Sequence, residues 1–215
     1  MLHVSGLDVS IASVSILRGV TMDVPSGKFV GLIGRNGAGK TTLMRSIMGI
    51  LPARQGSISF DGTQLDKTPA HQRARSGMGY MPEDRRLVPS LSVEENVLIP
   101  AWCAGVVAPR ERLTDVYKMI PEVESFAARK ALQLSGGQQK LVALARALVC
   151  GSKLLLLDEP FEGVAPVLAK RLVDVISSLK QRGLSIVLTE SDLSHSRDLL
   201  DMIYSIDRGQ VSVVS

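Results

Sequence analysis

Residues 34–41 read GRNGAGKT and fit the pattern G-x-x-x-x-G-K-[ST] at every position. They follow a short apolar run, Phe29 to Ile33, that is typical of a buried strand. A glycine-rich turn between a strand and a helix directs backbone N–H groups into one concavity, where the helix dipole favours an anion. Lys40 is placed to contact nucleotide phosphates, and the Thr41 hydroxyl is placed to ligate Mg²⁺. The pattern therefore predicts a phosphate cradle, and an ordinary glycine-rich turn is the alternative interpretation.

A second motif, LSGGQ, occupies residues 134–138 and opens a helix with a buried apolar stripe. Ser135 and Gln138 have the S-x-x-Q spacing of a capping box, which gives the motif a purely structural interpretation. The two glycines weaken the first helical turn, but they leave bare backbone at a helix N-terminus, which is an anion site. The motif therefore predicts a second phosphate contact, with capping as the alternative.

Two carboxylates, Asp158 and Glu159, end the apolar run Leu154 to Leu157. Ligands of open α/β sheets bind at the carboxyl ends of such buried strands. We expect Asp158 to hold Mg²⁺, directly or through water, and Glu159 to polarise an attacking water. A solvated strand end is the alternative, which the cradle upstream disfavours.

The elements that position these motifs are predicted from hydrophobic periodicity. Short apolar pieces from His3 to Val24 and from Ser57 to Phe60 predict antiparallel strands in a small sheet beside the phosphate site. Helical spacing predicts a helix from Thr41 to Met48 that ends at Gly49. Between Pro89 and Leu132, helical periodicity interrupted by prolines predicts several short helices in a separate lobe.

The remaining part of the chain predicts a parallel sheet. The runs Leu154 to Leu157 and Leu184 to Leu188 are apolar at every residue, as strands covered on both faces are. A helical pattern from Val167 to Leu179 separates them, and Met202 to Val214 predicts a strand, a turn and a strand. These alternations indicate an α/β fold.

Bulk composition excludes several classes of protein. The 215 residues are 45% hydrophobic and 21% charged, which predicts one globular domain. No apolar stretch reaches the roughly 20 residues of a membrane span, and the first seventeen residues lack the pattern of a secretory signal, so we expect a cytoplasmic chain. Cys103 and Cys150 predict reduced thiols, without a disulfide or zinc site. The net charge of +4 gives no support for nucleic-acid binding, because no arginine-rich stripe with aromatic residues is present.

The cradle, LSGGQ and LLLLDEP, in this order and spacing, resemble the ATP-binding-cassette (ABC) ATPases over essentially the whole chain. The resemblance implies a P-loop NTPase core with a mainly parallel sheet, an antiparallel β arm and a helical subdomain. It implies a single domain over residues 1–215, with its core in residues 1–86 and 149–215 and the helical subdomain in about residues 87–148.

In this family two cassettes face each other head to tail, and each ATP lies between the cradle of one and the LSGGQ loop of the other. The resemblance implies that ATP and Mg²⁺ are bound, and that the partners are transmembrane permease subunits and a second cassette, with a heterodimer favoured over a homodimer. The implied phosphate contacts are Asn36, Gly37, Ala38, Gly39, Lys40, Thr41 and Thr42 in one subunit, and Ser135, Gly137 and Gln138 from the other. Thr41, Asp158 and Glu83 are the implied Mg²⁺ contacts, and Glu159 is the implied general base.

A finer resemblance concerns two loops: residues 81–86 followed by 91–96, and residues 158–166, are similar to those of branched-chain amino-acid and urea uptake cassettes. This similarity implies a subunit that powers uptake of branched-chain amino acids or related small polar solutes. It would lie peripherally on the cytoplasmic face of the inner membrane.

Three positions depart from the wider family pattern. Glu83 stands where a glutamine is usual, although a carboxylate still ligates a hard cation. Near Ile11, where an aromatic ring commonly stacks on adenine, the chain offers only Ser10, Ile11 and Ala12. Ser191 stands where a histidine usually contacts the γ-phosphate, and a serine donates a hydrogen bond without carrying a charge. His195, one helical turn further, is either a substitute for that histidine or a surface residue.

These departures predict a cassette in which Ser191 is the catalytic stand-in, with slow hydrolysis in isolation and a different cassette as partner. The alternative is a regulatory nucleotide-binding module that dimerises on ATP with little turnover. The apolar segment Val97 to Pro109, which holds Trp102, is interpreted either as core packing or as a groove that receives a permease helix.

Overall fold

The computed structural model describes residues 1–214. The strands are β1 (Leu2–Ile11), β2 (Val14–Val24), β3 (Phe29–Ile33), β4 (Gln55–Phe60), β5 (Thr63–Gln64), β6 (Met78–Met81), β7 (Leu154–Asp158), β8 (Ser185–Glu190), β9 (Met202–Asp207) and β10 (Gln210–Val213). The α-helices are α1 (Lys40–Ile47), α2 (Ala70–Arg75), α3 (Val93–Ala104), α4 (Pro109–Met119), α5 (Pro121–Ser125), α6 (Gly136–Cys150) and α7 (Pro166–Lys180). Short 3-10 turns cover Ala131–Gln133 and Arg197–Leu199.

The strands form two sheets. The larger has the order β10-β9-β3-β8-β7-β6, and all its pairings are parallel except the β9–β10 hairpin. The smaller is antiparallel, with the order β2-β1-β4-β5. Because β3, β8 and β7 are parallel neighbours, their carboxyl ends meet at one edge of the sheet, where ligands of open α/β folds bind.

Each face of the large sheet is covered by a hydrophobic core. Leu155 and Leu157 point into one core, which includes residues of α3, α6 and α7, whereas Leu154 and Leu156 point into the other, beneath α1 and the small sheet. Alternate side chains of a strand point to opposite faces, so a strand covered on both sides is apolar throughout. The all-leucine run of β7 is therefore explained by its position between two cores.

The elements predicted from periodicity are confirmed with shifts of one or two residues at most ends. The helix after the cradle ends with Met48 as its C-cap, and Gly49 follows with φ of 72°. The short helices before the LSGGQ motif are α3, α4 and α5, and both Pro109 and Pro121 begin a helix. Proline is favoured at the first position of a helix, because an N–H group there would have no intrahelical acceptor.

Pro100 and Trp102 differ from expectation. Pro100 lies inside α3 instead of ending it. Core packing holds for Val97 and Ala101, but it is wrong for Trp102, whose exposed fraction is 49%. The helical spacing places Trp102 on the outer face of α3.

The elements β5, α2 and β6 were not predicted, because they are short and carry little periodicity. Within residues 1–214, no helix is long and apolar enough to cross a bilayer.

Candidate functional site

The phosphate cradle is the turn between β3 and α1, which begins at Lys40. Gly37 and Gly39 have φ of 81° and 115°, in the left-handed region that favours glycine. A Cβ on Gly39 would also lie 2.9 Å from Leu17 Cδ2. The turn therefore requires glycine at this position, and the first N–H groups of α1 have no intrahelical acceptor.

A cavity of about 460 Å³ lies over this turn. It is lined by six of the predicted cradle residues, Asn36, Gly37, Gly39, Lys40, Thr41 and Thr42, and by Glu83 and Glu159. Arg35, which lies in the GRNGAGKT motif, and Ile16, which was missed from the sequence, complete the lining. The volume and lining of the cavity suit a polyanion bound by backbone N–H groups and one lysine. Ile11 does not line it, and its side chain is 43% exposed.

Lys40 lies at the centre of the site, with an exposed fraction of 5%. Its Nζ donates to the carbonyl oxygens of Gly34 and Arg35, the latter at 3.3 Å. It forms an ion pair with Glu159 Oε1 at 2.9 Å and lies 3.3 Å from Ser191 Oγ. Every acceptor belongs to the carboxyl ends of β3, β7 or β8 or to the loops that follow, so the strand order brings this cation and carboxylate together.

Ser191 contacts both the cradle and the predicted base. Its Oγ lies 2.9 Å from Asn36 Oδ1 and 3.1 Å from Glu159 Oε1, and its single proton is donated to one of these acceptors at a time. A second cavity, which shares Asn36 and Glu159 with the first, is lined by Ser191 and His195. The His195 ring packs against Phe161 at a centroid distance of 5.6 Å. The structure thus brings Ser191, and not His195, into contact with Lys40 and Glu159.

Asp158 is fully buried at the end of β7. Thr189 Oγ1 donates to its Oδ1 at 2.8 Å, and Tyr80 donates to its Oδ2 at 3.1 Å. Burial raises the pKa of Asp158, while hydrogen bonds from Thr189, Thr41 and Tyr80 oppose the rise. A carboxylate beside a threonine hydroxyl is an all-oxygen donor pair, which fits a hard divalent cation such as Mg²⁺. Tyr80 and Thr189 were missed, because neither forms part of a motif.

Glu83 lies on an exposed loop at the rim of the cavity. Partial burial raises the pKa of its carboxyl, and the negative charges of Glu162, Asp158 and Glu159 act in the same direction. A cation bound nearby would relieve this repulsion. The structure thus brings Glu83 to the same cavity as Thr41, as a metal site would require.

The LSGGQ residues lie elsewhere. Ser135 caps α6: Gln138 N donates to Ser135 Oγ at 3.3 Å, and Ser135 N donates to Gln138 Oε1 at 3.0 Å. The capping box is therefore formed, as the structural interpretation predicts. A Cβ on Gly137 would lie 2.7 Å from Leu168 Cδ2, so the Leu168 side chain would have to shift to admit it. Neither Ser135, Gly137 nor Gln138 lines the phosphate cavity of its own chain.

Comparisons with known proteins agree with this geometry. The profile of the ABC transporter family matches residues 17–162. The lipopolysaccharide export system ATP-binding protein LptB of Haemophilus influenzae is 33% identical over 213 residues, which cover 98% of this chain and 88% of that protein. The high-affinity branched-chain amino acid transport ATP-binding protein BraG of Pseudomonas aeruginosa is 31% identical over 211 residues, which cover 98% and 91%.

Solved structures show the same fold. The structure of an ATP-binding subunit of an ABC transporter superposes with a TM-score of 0.87 at 28% identity and covers 100% of this chain and 90% of that one. The ADP conformation of MJ1267, an ATP-binding cassette of an ABC transporter, superposes with a TM-score of 0.84 at 27% identity and covers 99% and 89%.

The family resemblance and the fold class predicted from the sequence are thus confirmed: a P-loop core with a mainly parallel sheet, an antiparallel arm and a helical part. The relatives include a cassette of branched-chain amino acid transport and a cassette of lipopolysaccharide export. The chain belongs to the ABC transporter family and is one of its ATP-hydrolysing cassettes.

Proposed function

We propose that this chain binds MgATP in the cavity over the cradle and hydrolyses it to power a solute uptake transporter. The observation that carries the proposal is the cluster of Lys40, Glu159 and Ser191 at the carboxyl ends of three parallel strands, in which the lysine and the glutamate are buried. This is the edge at which an α/β sheet binds its ligand, and the cluster combines a cation for phosphate with a carboxylate for water.

Each side chain has one role in this mechanism. Lys40 moves from Glu159 to the β- and γ-phosphate oxygens, and the freed carboxylate accepts a proton from the attacking water. Ser191 donates a hydrogen bond to the γ-phosphate, where charge develops. Thr41 and Asp158, with Glu83 at the rim, would hold Mg²⁺, which neutralises phosphate charge when bound.

Two chains are needed for a complete site in this proposal. Ser135, Gly137 and Gln138 do not line the cavity of their own chain, which supports their contact with the nucleotide of a second cassette. The N-terminus of α6, with bare glycine backbone, suits an anion supplied by that partner. A serine in place of an imidazole supports a heterodimer, because the companion cassette would supply the stronger catalytic site.

A groove beside α3 is the proposed docking site for the permease. Its cavity of about 380 Å³ has an apolar lining that includes Met48, Ile99 and Pro100, with Arg45 and Arg146 among its charged residues. We propose that an amphipathic cytoplasmic helix of the permease, with an acidic residue facing the arginines, occupies it. Such docking would hold the cassette on the cytoplasmic face of the inner membrane as a peripheral subunit.

The docking proposal predicts that Ile99→Glu abolishes stimulation of the ATPase by the permease and leaves basal turnover unchanged. Val107→Glu is the matched control, because Val107 is 82% exposed and does not line the groove. Equal stimulation of both variants would contradict the docking site.

For the transported solute, branched-chain amino acids are proposed. The similarity to BraG over 98% of the chain supports this class. Export of a lipopolysaccharide-like lipid is the second candidate, because LptB is similar over the same length. Reconstitution with each class of permease, and measurement of which one stimulates phosphate release, separates the two.

Measuring phosphate release from MgATP, with the chain alone and with a companion cassette, tests whether the chain hydrolyses ATP. We expect slow turnover alone and faster turnover in the mixture. Full activity of the isolated homodimer would contradict the heterodimer. A chain that binds MgATP without turnover in either case would be the regulatory module that Ser191 also suggests, and absence of binding in calorimetry would refute the whole proposal.

A further inference from the structure

Lys140 is a buried cation in the second turn of α6, with an exposed fraction of 3%. Its Nζ donates to the carbonyl oxygens of Glu159 at 2.7 Å and Pro160 at 3.1 Å. No motif assigns it a role. A buried ammonium is costly unless it is hydrogen-bonded, and here its acceptors are the backbone carbonyls of the loop that carries the proposed general base.

The backbone of Glu159 is unusual. Its φ is +49°, in the left-handed region that a residue with a Cβ rarely adopts. Such a conformation persists only when its surroundings hold it. Three contacts do so: Glu159 N donates to Thr189 Oγ1 at 3.0 Å, and the Glu159 carbonyl oxygen accepts from Lys140 Nζ at 2.7 Å and from Glu162 N at 3.3 Å. The residue is therefore clamped on its amide side by β8 and on its carbonyl side by α6.

Charges around Lys140 agree with this arrangement. Burial lowers the pKa of Lys140 to about 8, and the Arg85 guanidinium acts in the same direction, while Glu162, Glu159 and Glu83 oppose the shift. Lys140 is thus mainly protonated at neutral pH and keeps its full set of donors.

We propose that Lys140 is a positioning residue for hydrolysis: by binding the Glu159 and Pro160 carbonyl oxygens, it holds the Glu159 carboxylate in line with the attacking water. The inference rests on the proposed role of Glu159 as general base. Since α6 begins directly after Ser135, the helix that contacts the partner's nucleotide also fixes the base of its own chain.

The test uses the full chain, with its companion cassette, and compares Lys140→Met with Lys140→Arg. Methionine fills the space without a donor, whereas arginine keeps both the charge and the donors. Lys118→Met is the matched control, because Lys118 is exposed on α4 and pairs only with Asp115. Turnover, the KM for MgATP and the melting temperature are measured for each.

We expect Lys140→Met to lower kcat by about 10- to 100-fold, because a displaced catalytic group costs a factor of this size. Its KM should stay within about twofold of wild type, because Lys140 does not line the phosphate cavity. Lys140→Arg should recover most of the turnover, and Lys118→Met should match wild type. If Lys140→Met does not fold, Lys140→Leu, which also lacks a donor, takes its place, with the same expected separation of kcat from KM.

Wild-type kcat in Lys140→Met, or equal changes in kcat and KM, would overturn the positioning role. Failure of Lys140→Arg to recover any turnover would overturn it as well. Absence of turnover in the wild-type mixture would instead refute the proposed function, so the two failures are distinguishable.

Discussion

Glu159→Gln is predicted to change nucleotide binding and turnover in opposite directions. The Glu159 carboxylate and the Lys40 ammonium lie 2.9 Å apart, and their side chains are 7% and 5% exposed. A phosphate must therefore compete with this carboxylate for the ammonium. Glutamine has nearly the same shape, still accepts hydrogen bonds from Lys40 and Ser191, and carries no charge.

The size of the binding effect follows from the bond that is weakened. Hydrogen bonds to charged groups contribute about 1.5–3 kcal/mol, and neutral ones about 0.5–1.5 kcal/mol. Replacing the carboxylate of Glu159 removes a difference of about 1 kcal/mol, so the Kd for MgATP should fall about five- to tenfold. Loss of a general base should lower kcat by about 10²–10⁴-fold.

Calorimetry measures the Kd for MgATP, phosphate release measures kcat, and size exclusion detects ATP-bound dimers. Glu162→Gln is the matched control: it removes a charge from the same loop, but Glu162 is exposed and has no contact with Lys40. Binding by Glu159→Gln that is no tighter than that of wild type would refute the competition between carboxylate and phosphate. Unchanged kcat would refute the role of Glu159 as base.

Three further predictions concern stability and the metal site. Burial raises the pKa of Glu190 to about 7. Between about pH 4.5 and 7 the folded chain therefore keeps a proton that the unfolded chain has lost. Because the folded state binds more protons, the free energy of unfolding falls as pH rises through this window. Glu190→Gln should reduce this dependence on pH and raise the free energy of unfolding by about 1–2 kcal/mol at pH 7.5. Urea unfolding at pH 5 and 7.5 measures the effect, and an unchanged pH dependence would exclude Glu190 as its source. Gly39→Ala should destabilise the chain by about 1–3 kcal/mol in the same assay. The reason is that Gly39 has φ of 115° and that Leu17 Cδ2 lies 2.9 Å from the position of the new Cβ. An unchanged free energy of unfolding would contradict the cradle geometry. Tyr80→Phe removes the 3.1 Å hydrogen bond to Asp158 and should cost about 0.5–1.5 kcal/mol, with a higher Mg²⁺ requirement for turnover; equal Mg²⁺ dependence would argue against Asp158 as a metal contact.

Much of the fold could be predicted because its signals are local. The glycine pattern of residues 34–41 specifies a strand, a turn and a helix within a few residues, and the all-leucine run of β7 indicates a strand covered on both faces. The short elements β5, α2 and β6 escaped prediction, because their few residues form structure only through pairing and packing with distant parts of the chain.

For the candidate site, the sequence indicated which residue types are available, but not which of these residues contact each other. The chain shows a cradle lysine, a pair of carboxylates at a strand end and a serine after another strand, but these segments are far apart in sequence. Their meeting depends on the strand order β3-β8-β7, which is decided by burial on two faces of a sheet.

The sequence by itself determined which candidate residues this protein offers: a phosphate-cradle motif at residues 34–42, carboxylates at the end of β7 and a capped helix at LSGGQ. Only the tertiary structure decided that Lys40 pairs with Glu159, that Tyr80 and Thr189 bind Asp158, and that Lys140 clamps the Glu159 backbone. The physical reason is that motifs are set by local backbone geometry, whereas these contacts arise when the sheet and α6 bury polar groups that must then find partners.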